Sequence, residues 1–279
     1  MANFADFLTQ FNDLKSHIDY FVYGKSYFGQ ELIAFHKGSY KSKQLLITGG
    51  IHAREYISTQ VVLDLLKEYN YDIGCYFLPM LNPDGVRLSM DGIFWIKNKE
   101  YREFLLKLNN NKYDFSLWKA NAIGVDLNVN FNAEWAKSKF IKNYPNGGGY
   151  IGERSNSYEN KYLIDFLENK QFFASLSYHS KGEVVYYGFE KLSKKSLKNA
   201  KNTAKNIAKL ANFKTIQSKG SAGGLSDYLS YCCNIPSFTI ELGSDKFNHP
   251  IQLNFVDEIE KNQSLVIKYM IERFKKECQ

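Results

Sequence analysis

Five short runs of the chain are apolar almost without interruption and rich in β-branched and aromatic residues: QLLITGG (44–50), IGCYFLPML (73–81), FFASLSYHS (172–180), EVVYYGF (183–189) and SFTIELG (237–243). Runs of this length, bounded by turn residues, read as strands buried on both faces. Between them the apolar positions take helical spacing, in EYISTQVVLDLLKEYN (55–70), SYENKYLIDFLENK (157–170) and KLSKKSLKNAKNTAKNIAKLANF (191–213), and a last helix is expected from about Pro250 to Lys276. Buried strands alternating with helices predict an α/β fold of three layers (αβα), its central sheet mixed, mostly parallel and twisted.

Residues 82–156 break this rhythm. NPDGV, NKEYREFLLKLNNNKYD and NYPNGGGYIG are rich in Asn, Gly, Lys and Tyr with little periodicity, and long irregular stretches in a compact domain are usually functional loops. No internal repeat and no Pro/Ser-rich linker marks a boundary, so a single domain over residues 1–279 is expected.

Composition narrows the class. A hydrophobic content of 44% in 279 residues is enough for one large core. Cys75, Cys232, Cys233 and Cys278 are too few and too irregularly placed for a disulfide framework, and match no structural zinc spacing, which favours a reducing compartment. The first twenty residues show no basic stretch followed by an unbroken apolar one, and nothing later reaches the length of a membrane span. The expectation is a cytoplasmic protein without a membrane partner. The formal charge of +7 is carried by scattered lysines, as in KKSLKNAKNTAKNIAKL. On a helix such spacing gives a solvated face rather than a nucleic-acid stripe, while a small anionic substrate remains compatible with it.

Candidate chemistry begins at His52 and Glu55, three apart where QLLITGG gives way to a helical pattern. The pair fits an ordinary helix entrance, with a first-turn glutamate favoured by the helix dipole. It also fits a ligand site, because ligands in open α/β sheets gather beyond the carboxyl ends of strands. FFASLSYHS ends in His179, so two of the five histidines fall at strand exits. Glu241 lies within the apolar run SFTIELG. If buried, it needs a partner, a metal or a chemical task; at a strand end it is a solvated acid. Two histidines and a carboxylate form a known catalytic zinc set that leaves room for water, and a further carboxylate supplies a base.

HAREY (52–56), NPDGV (82–86), GVDLNVNF (124–131), SYHS (177–180), SAGGLSDY (221–228) and TIELGSD (239–245) resemble, in order, the successive motifs of the zinc metallocarboxypeptidase, or carboxypeptidase A-like, family. The set covers roughly residues 20 to 270 and is far more specific than any single motif. The resemblance implies that His52, Glu55 and His179 hold one zinc ion per chain. It implies that Glu241 activates the attacking water, and that Asp126 fixes the tautomer of the first ligand histidine. Lys119, in WKAN, is the nearest match to the family's oxyanion-stabilising arginine, and Arg54 matches a substrate-binding arginine.

Two positions depart from the pattern. The family arginine that clamps a terminal carboxylate follows an asparagine; here the pair is Asn128 and Val129, and valine cannot make a forked salt bridge. The tyrosine that closes over substrate in digestive members is missing, with Lys219 near its place. Arg54 and Lys181, which follows the second ligand histidine at one residue's remove, are candidate substitutes alongside Asn128. Ser226, near the family's specificity position, indicates neither an aliphatic nor a basic preference. The style of WKANA, GVDLNVNF and SYHSKGE is similar to that of bacterial members cleaving the γ-D-glutamyl–diaminopimelate bond, which implies a small anionic peptide or muropeptide as substrate. A non-catalytic zinc-binding member and an N-acyl amino acid hydrolase stay open beside it.

Overall fold

The computed structural model describes residues 3–278. One eight-stranded sheet runs through it, in the order β1-β2-β4-β3-β5-β8-β6-β7. The strands are β1 (Asp19–Lys25), β2 (Glu31–Lys37), β3 (Gln44–Thr48), β4 (Cys75–Leu78), β5 (Phe172–Ser180), β6 (Val184–Tyr187), β7 (Lys214–Gln217) and β8 (Ser237–Leu242). The central β4, β3, β5 and β8 are mutually parallel. Antiparallel β2 and β6 flank them, so the sheet is mixed as the alternation of strands and helices predicts.

Alternation along the strands makes the three layers. Leu45, Ile47, Leu176, Tyr178 and Ile240 face one side, where they pack on α1 (Phe4–Lys15), α2 (Ile57–Glu68), α6 (Lys194–Ala211) and α9 (Gln263–Glu277). Leu46, Tyr76 and Leu78 face the other, against α5 (Tyr158–Glu168) and α7 (Leu225–Tyr231). Side chains at successive positions point to opposite faces, so a run apolar at every position must be covered twice. Among the described residues no helix is long and apolar enough to cross a membrane.

The structure corrects the expected elements in four places. Residues 82–156 contain α3 (Pro83–Asp91) and α4 (Lys99–Leu108). The expected helix from Pro250 to Lys276 is broken into α8 (Val256–Ile259) and α9, because Asn262 between them takes the left-handed φ of 70°. β1, β2 and β7 lie outside the five expected runs: β1 and β7 are largely or partly solvent-exposed and lack the apolar run that marks the central strands, whereas β2, buried from Leu32 to His36, went unread despite its apolar run. α1 and α7 were also unforeseen. α1 is amphipathic, burying only Phe4, Phe7, Phe11 and Leu14, and α7 has seven residues, too few to show a period.

Candidate active site

β3 ends at Thr48, and the glycines after it turn the chain sharply against α2. Gly50 has φ of 61°, and a Cβ there would lie 2.4 Å from Thr59 Oγ1. A side chain at Gly50 is therefore excluded by conformation and by space. The turn delivers His52, and a short 3-10 turn (Ala53–Glu55) brings Glu55 back beside it; both are buried. β5 supplies His179, which stands opposite Glu241 of β8 in the parallel register.

His52 Nδ1 lies 2.9 Å from Glu55 Oε1 and 3.2 Å from His179 Nδ1, and His179 Nδ1 lies 3.1 Å from Glu55 Oε2. The three residues form a buried group able to hold a metal ion. Zinc bonds of about 2.0–2.1 Å imply a separation of roughly 3.4 Å between tetrahedral ligand atoms, close to these spacings. The donor set and its geometry therefore fit a zinc ion. The far side of each ring is also occupied. His52 Nε2 is 3.2 Å from Asp126 Oδ1, an ion-pair distance without the alignment of a full hydrogen bond, and His179 Nε2 is 3.4 Å from Ser177 Oγ. Such outer partners hold an imidazole with its other nitrogen turned inward. The Ser180 amide donates to Glu55 Oε2.

The charges are arranged in opposition. Burial works to raise Glu55, but the imidazoles of His52 and His179 outweigh it and hold its carboxyl well below the usual range. Asp126, fully buried, is likewise held low against desolvation by Lys119, whose ammonium is 2.7 Å from Oδ2, and by His52. Glu241 goes the other way: burial is the main cause, helped by the charge of Glu55, and its carboxyl is pushed up to about 7. Of the site's acids, Glu241 is thus the one placed to exchange a proton near neutrality.

Glu241 opens onto a cavity of about 550 Å³ whose wall includes Val129, Lys139, Lys219, Ser226 and Asp227. Val129 is buried against the 221–224 segment, where a Cβ on Gly223 would meet its carbonyl oxygen at 2.4 Å. A second hollow of about 720 Å³ holds Arg54, whose Nε is buried without a partner, and shares Lys119, Lys139 and Phe140 with the first. The structure thus gathers Lys119, Asn128, Ser226, Arg54 and Glu241 around connected hollows. Asn128 Oδ1 accepts from the Leu225 amide at the start of α7, and Ser226 shares a hydrogen bond with Thr239. Lys181 turns away, donating to the Asp245 carbonyl at 3.2 Å, and lines neither hollow.

Three residues with a place in this geometry went unread in the sequence. Asn82 is fully buried; its Oδ1 accepts from Gly85 N at the start of α3, while its Nδ2 donates to the carbonyls of Ile51 and Ala120, both at 3.1 Å. One amide thus ties the His52 turn to the Lys119 segment. Lys139 and Asp227 enter the cavity from elements whose fold the sequence did not disclose.

The profile of the zinc carboxypeptidase family matches residues 4–263. The chain is 29% identical over 238 residues to gamma-D-glutamyl-L-diamino acid endopeptidase 1 of Lysinibacillus sphaericus, covering 78% of this chain and 58% of the relative. Against human carboxypeptidase B it is 29% identical over 239 residues, covering 76% and 54%. The chain therefore spans somewhat over half the length of these two relatives. Bovine thrombin-activatable fibrinolysis inhibitor, solved in complex with tick carboxypeptidase inhibitor, superposes with a TM-score of 0.79 at 18% identity, covering 99% of this chain and 98% of that one. The motifs in their order, the mixed sheet and the profile agree, and the chain belongs to the zinc carboxypeptidase family.

Proposed function

We propose that the chain is a zinc peptidase that hydrolyses an amide on the amino side of a small anionic amino acid, and that its substrate is the γ-D-glutamyl–diamino acid bond of cell-wall-derived peptides. The observation that carries this reading is the convergence of His52, Glu55 and His179 beside Glu241, at the end of a cavity with lysines in its wall. His52, Glu55 and His179 would hold one zinc ion, which when bound supplies a Lewis acid for the scissile carbonyl and lowers the pKa of water.

The protein's own groups account for the remaining steps. Glu241 takes the proton of the attacking water and passes it to the departing amine, a task suited to an acid titrating near neutrality. Asp126 keeps His52 oriented and is itself anchored by Lys119. The Lys119 ammonium also adds positive charge on the side where the carbonyl oxygen becomes anionic, although its ion pair with Asp126 weakens it relative to a free arginine. Arg54 serves the portion of the substrate that lies in the second hollow.

The substrate class rests on two supports. Val129 removes the forked clamp for an ordinary C-terminal carboxylate, while Lys139 and Lys219 stand in the same wall, neither in an ion pair among the described residues. The relative from Lysinibacillus sphaericus is named for γ-D-glutamyl-L-diamino acid bonds. We place this activity in a reducing compartment, consistent with four free cysteines, three of them exposed.

The test is incubation of the zinc-loaded protein with a γ-D-glutamyl–diaminopimelate peptide, an ordinary peptide with a free C-terminus and an N-acetyl amino acid, with fragments weighed by mass spectrometry. Release of diaminopimelate-bearing fragments from the first alone is expected. Turnover confined to either of the other two would overturn the substrate assignment, and binding without turnover of any would favour a non-catalytic role.

A further inference from the structure

At the start of β5 and β8, the end of the sheet remote from His179 and Glu241, a cavity of about 360 Å³ lies between the sheet, α6, α9 and the turn after α7. Protein interiors pack closely, so a hollow of this size among buried aromatic residues calls for an occupant. Its inner wall is apolar: Ala174, Phe238 and Met270 are buried, and the rings of Phe173 and Phe274 stack with centroids 4.1 Å apart. The volume falls at the lower end of the range for small-molecule sites, about 300–1,000 Å³, which suits a single amino acid rather than a peptide or a nucleotide cofactor.

Arg273 is the one cation in the wall and Glu277 the one anion. They lie one turn apart on α9, with Arg273 Nη2 2.7 Å from Glu277 Oε1, and their side chains are 32% and 56% exposed, which puts both at the mouth. A pair at this spacing on a helix surface contributes little to stability, and that would account for the two residues if Arg273 stood free in solvent. It does not stand free. Its Nη1 also donates to Thr203 Oγ1 of α6, and that buried hydroxyl donates in turn to the Asn199 carbonyl at 3.1 Å. The guanidinium is thereby held from two sides over the cavity. It has more N–H donors than these two contacts use, and Glu277 likewise engages only one of its oxygens.

We propose that this cavity binds a free α-amino acid with an apolar side chain: its carboxylate on Arg273, its ammonium on the free oxygen of Glu277, and its side chain against the aromatic wall. A carboxylate and an ammonium carried on one carbon stand about as far apart as the two charges of the Arg273–Glu277 pair, so ligand and protein close a square of alternating charge. A ligand with only one of the two charges completes half of that square. The site is separate from the hydrolytic reading above, for it shares no residue with the hollows around Glu241 and Arg54.

Titration calorimetry of the zinc-loaded protein with L-phenylalanine tests the proposal. Saturable binding is expected, with Arg273→Gln and Glu277→Gln each weakening it by about 10- to 100-fold, the range for losing one charge-assisted hydrogen bond. Neither residue lines the Glu241 cavity, so an amino acid bound there instead is unaffected by both substitutions. 3-Phenylpropionate, which lacks the ammonium, and 2-phenylethylamine, which lacks the carboxylate, are each expected to bind this site about 10-fold more weakly or worse.

Binding of L-phenylalanine that is equal in wild type and both variants overturns the proposal, and so does the absence of binding up to the solubility of the ligand. Glu277 is exposed at the last residue of α9, so Glu277→Gln decides the matter even if Arg273→Gln fails to fold. Weakening by Arg273→Gln alone, with 3-phenylpropionate bound as tightly as L-phenylalanine, overturns the assignment to an amino acid.

Discussion

Glu241 and Asp126 are both carboxylates beside the ligand histidines, Asp126 against His52 and Glu241 opposite His179, yet their surroundings drive them apart. Lys119 and His52 keep Asp126 ionised, whereas burial and the Glu55 charge push Glu241 up to about 7. The division supports the roles proposed above, Asp126 holding His52 and Glu241 exchanging protons. Glu241→Gln is therefore expected to lower turnover by about 10²- to 10⁴-fold, the usual contribution of a general base, while elemental analysis still finds one zinc per chain. Wild-type turnover in that variant would remove Glu241 from the chemistry. At this scale the sequence was most readable, because His52, Glu55, His179 and Glu241 are residue types whose presence at strand exits calls for explanation. Asp227 was harder to read. Only the folded chain brings it, almost fully buried, into the wall of the Glu241 cavity. Lys181 misled for the converse reason: a place two residues after His179 in the chain says nothing about direction, and its side chain leaves toward Asp245.

Among the elements, α3 matters less for its length than for how it begins. Asn82 caps it and at the same time binds two carbonyls from separate segments, so the start of a helix serves as the joint between the His52 turn and the Lys119 segment. Asn82→Ala leaves these buried groups without partners, and each buried unsatisfied group costs about 1–3 kcal/mol. The variant is expected to lose about 3 kcal/mol in chemical denaturation and to bind zinc more weakly in competition with a chelator. Unchanged zinc affinity would show that the joint does not reach the ligands. The central strands were legible because burial on both faces writes an unbroken apolar run. β1 and β7 were not, since their exposed residues carry no such run, and the break at Asn262 left the spacing on either side compatible with one continuous helix.

For the molecule as a whole, buried acids set how stability depends on pH. Glu159, fully buried at the start of α5, accepts from Asn121 Nδ2 at 3.0 Å, but its Oε1 has no partner. Burial chiefly, with a contribution from the Asp84 charge, pushes its carboxyl from 4.5 up to about 7. A carboxyl raised in the folded state binds its proton more tightly there than in the unfolded chain. Its contribution is thus complete below pH 4.5 and is lost as pH climbs to about 7, a change of about 3 kcal/mol. Asp84, pushed up to about 6 by burial, slopes the same way. Glu159→Gln is expected to melt above wild type at pH 8, with the gap closing toward pH 4.5. Parallel melting curves for the two proteins across that interval would show that Glu159 does not titrate in it.

The pairing of His179 with Glu241 across β5 and β8 has a practical corollary. Their spacing is set by backbone hydrogen bonds in the middle of the sheet, while Lys139, Lys219 and Asp227 arrive from loops and a short helix at its margin. The margin can be exchanged piece by piece while the rung between the two strands keeps its dimensions. A scaffold of this kind lends itself to re-targeting: new clientele can be sought by grafting rims, with the hydrolytic apparatus left untouched.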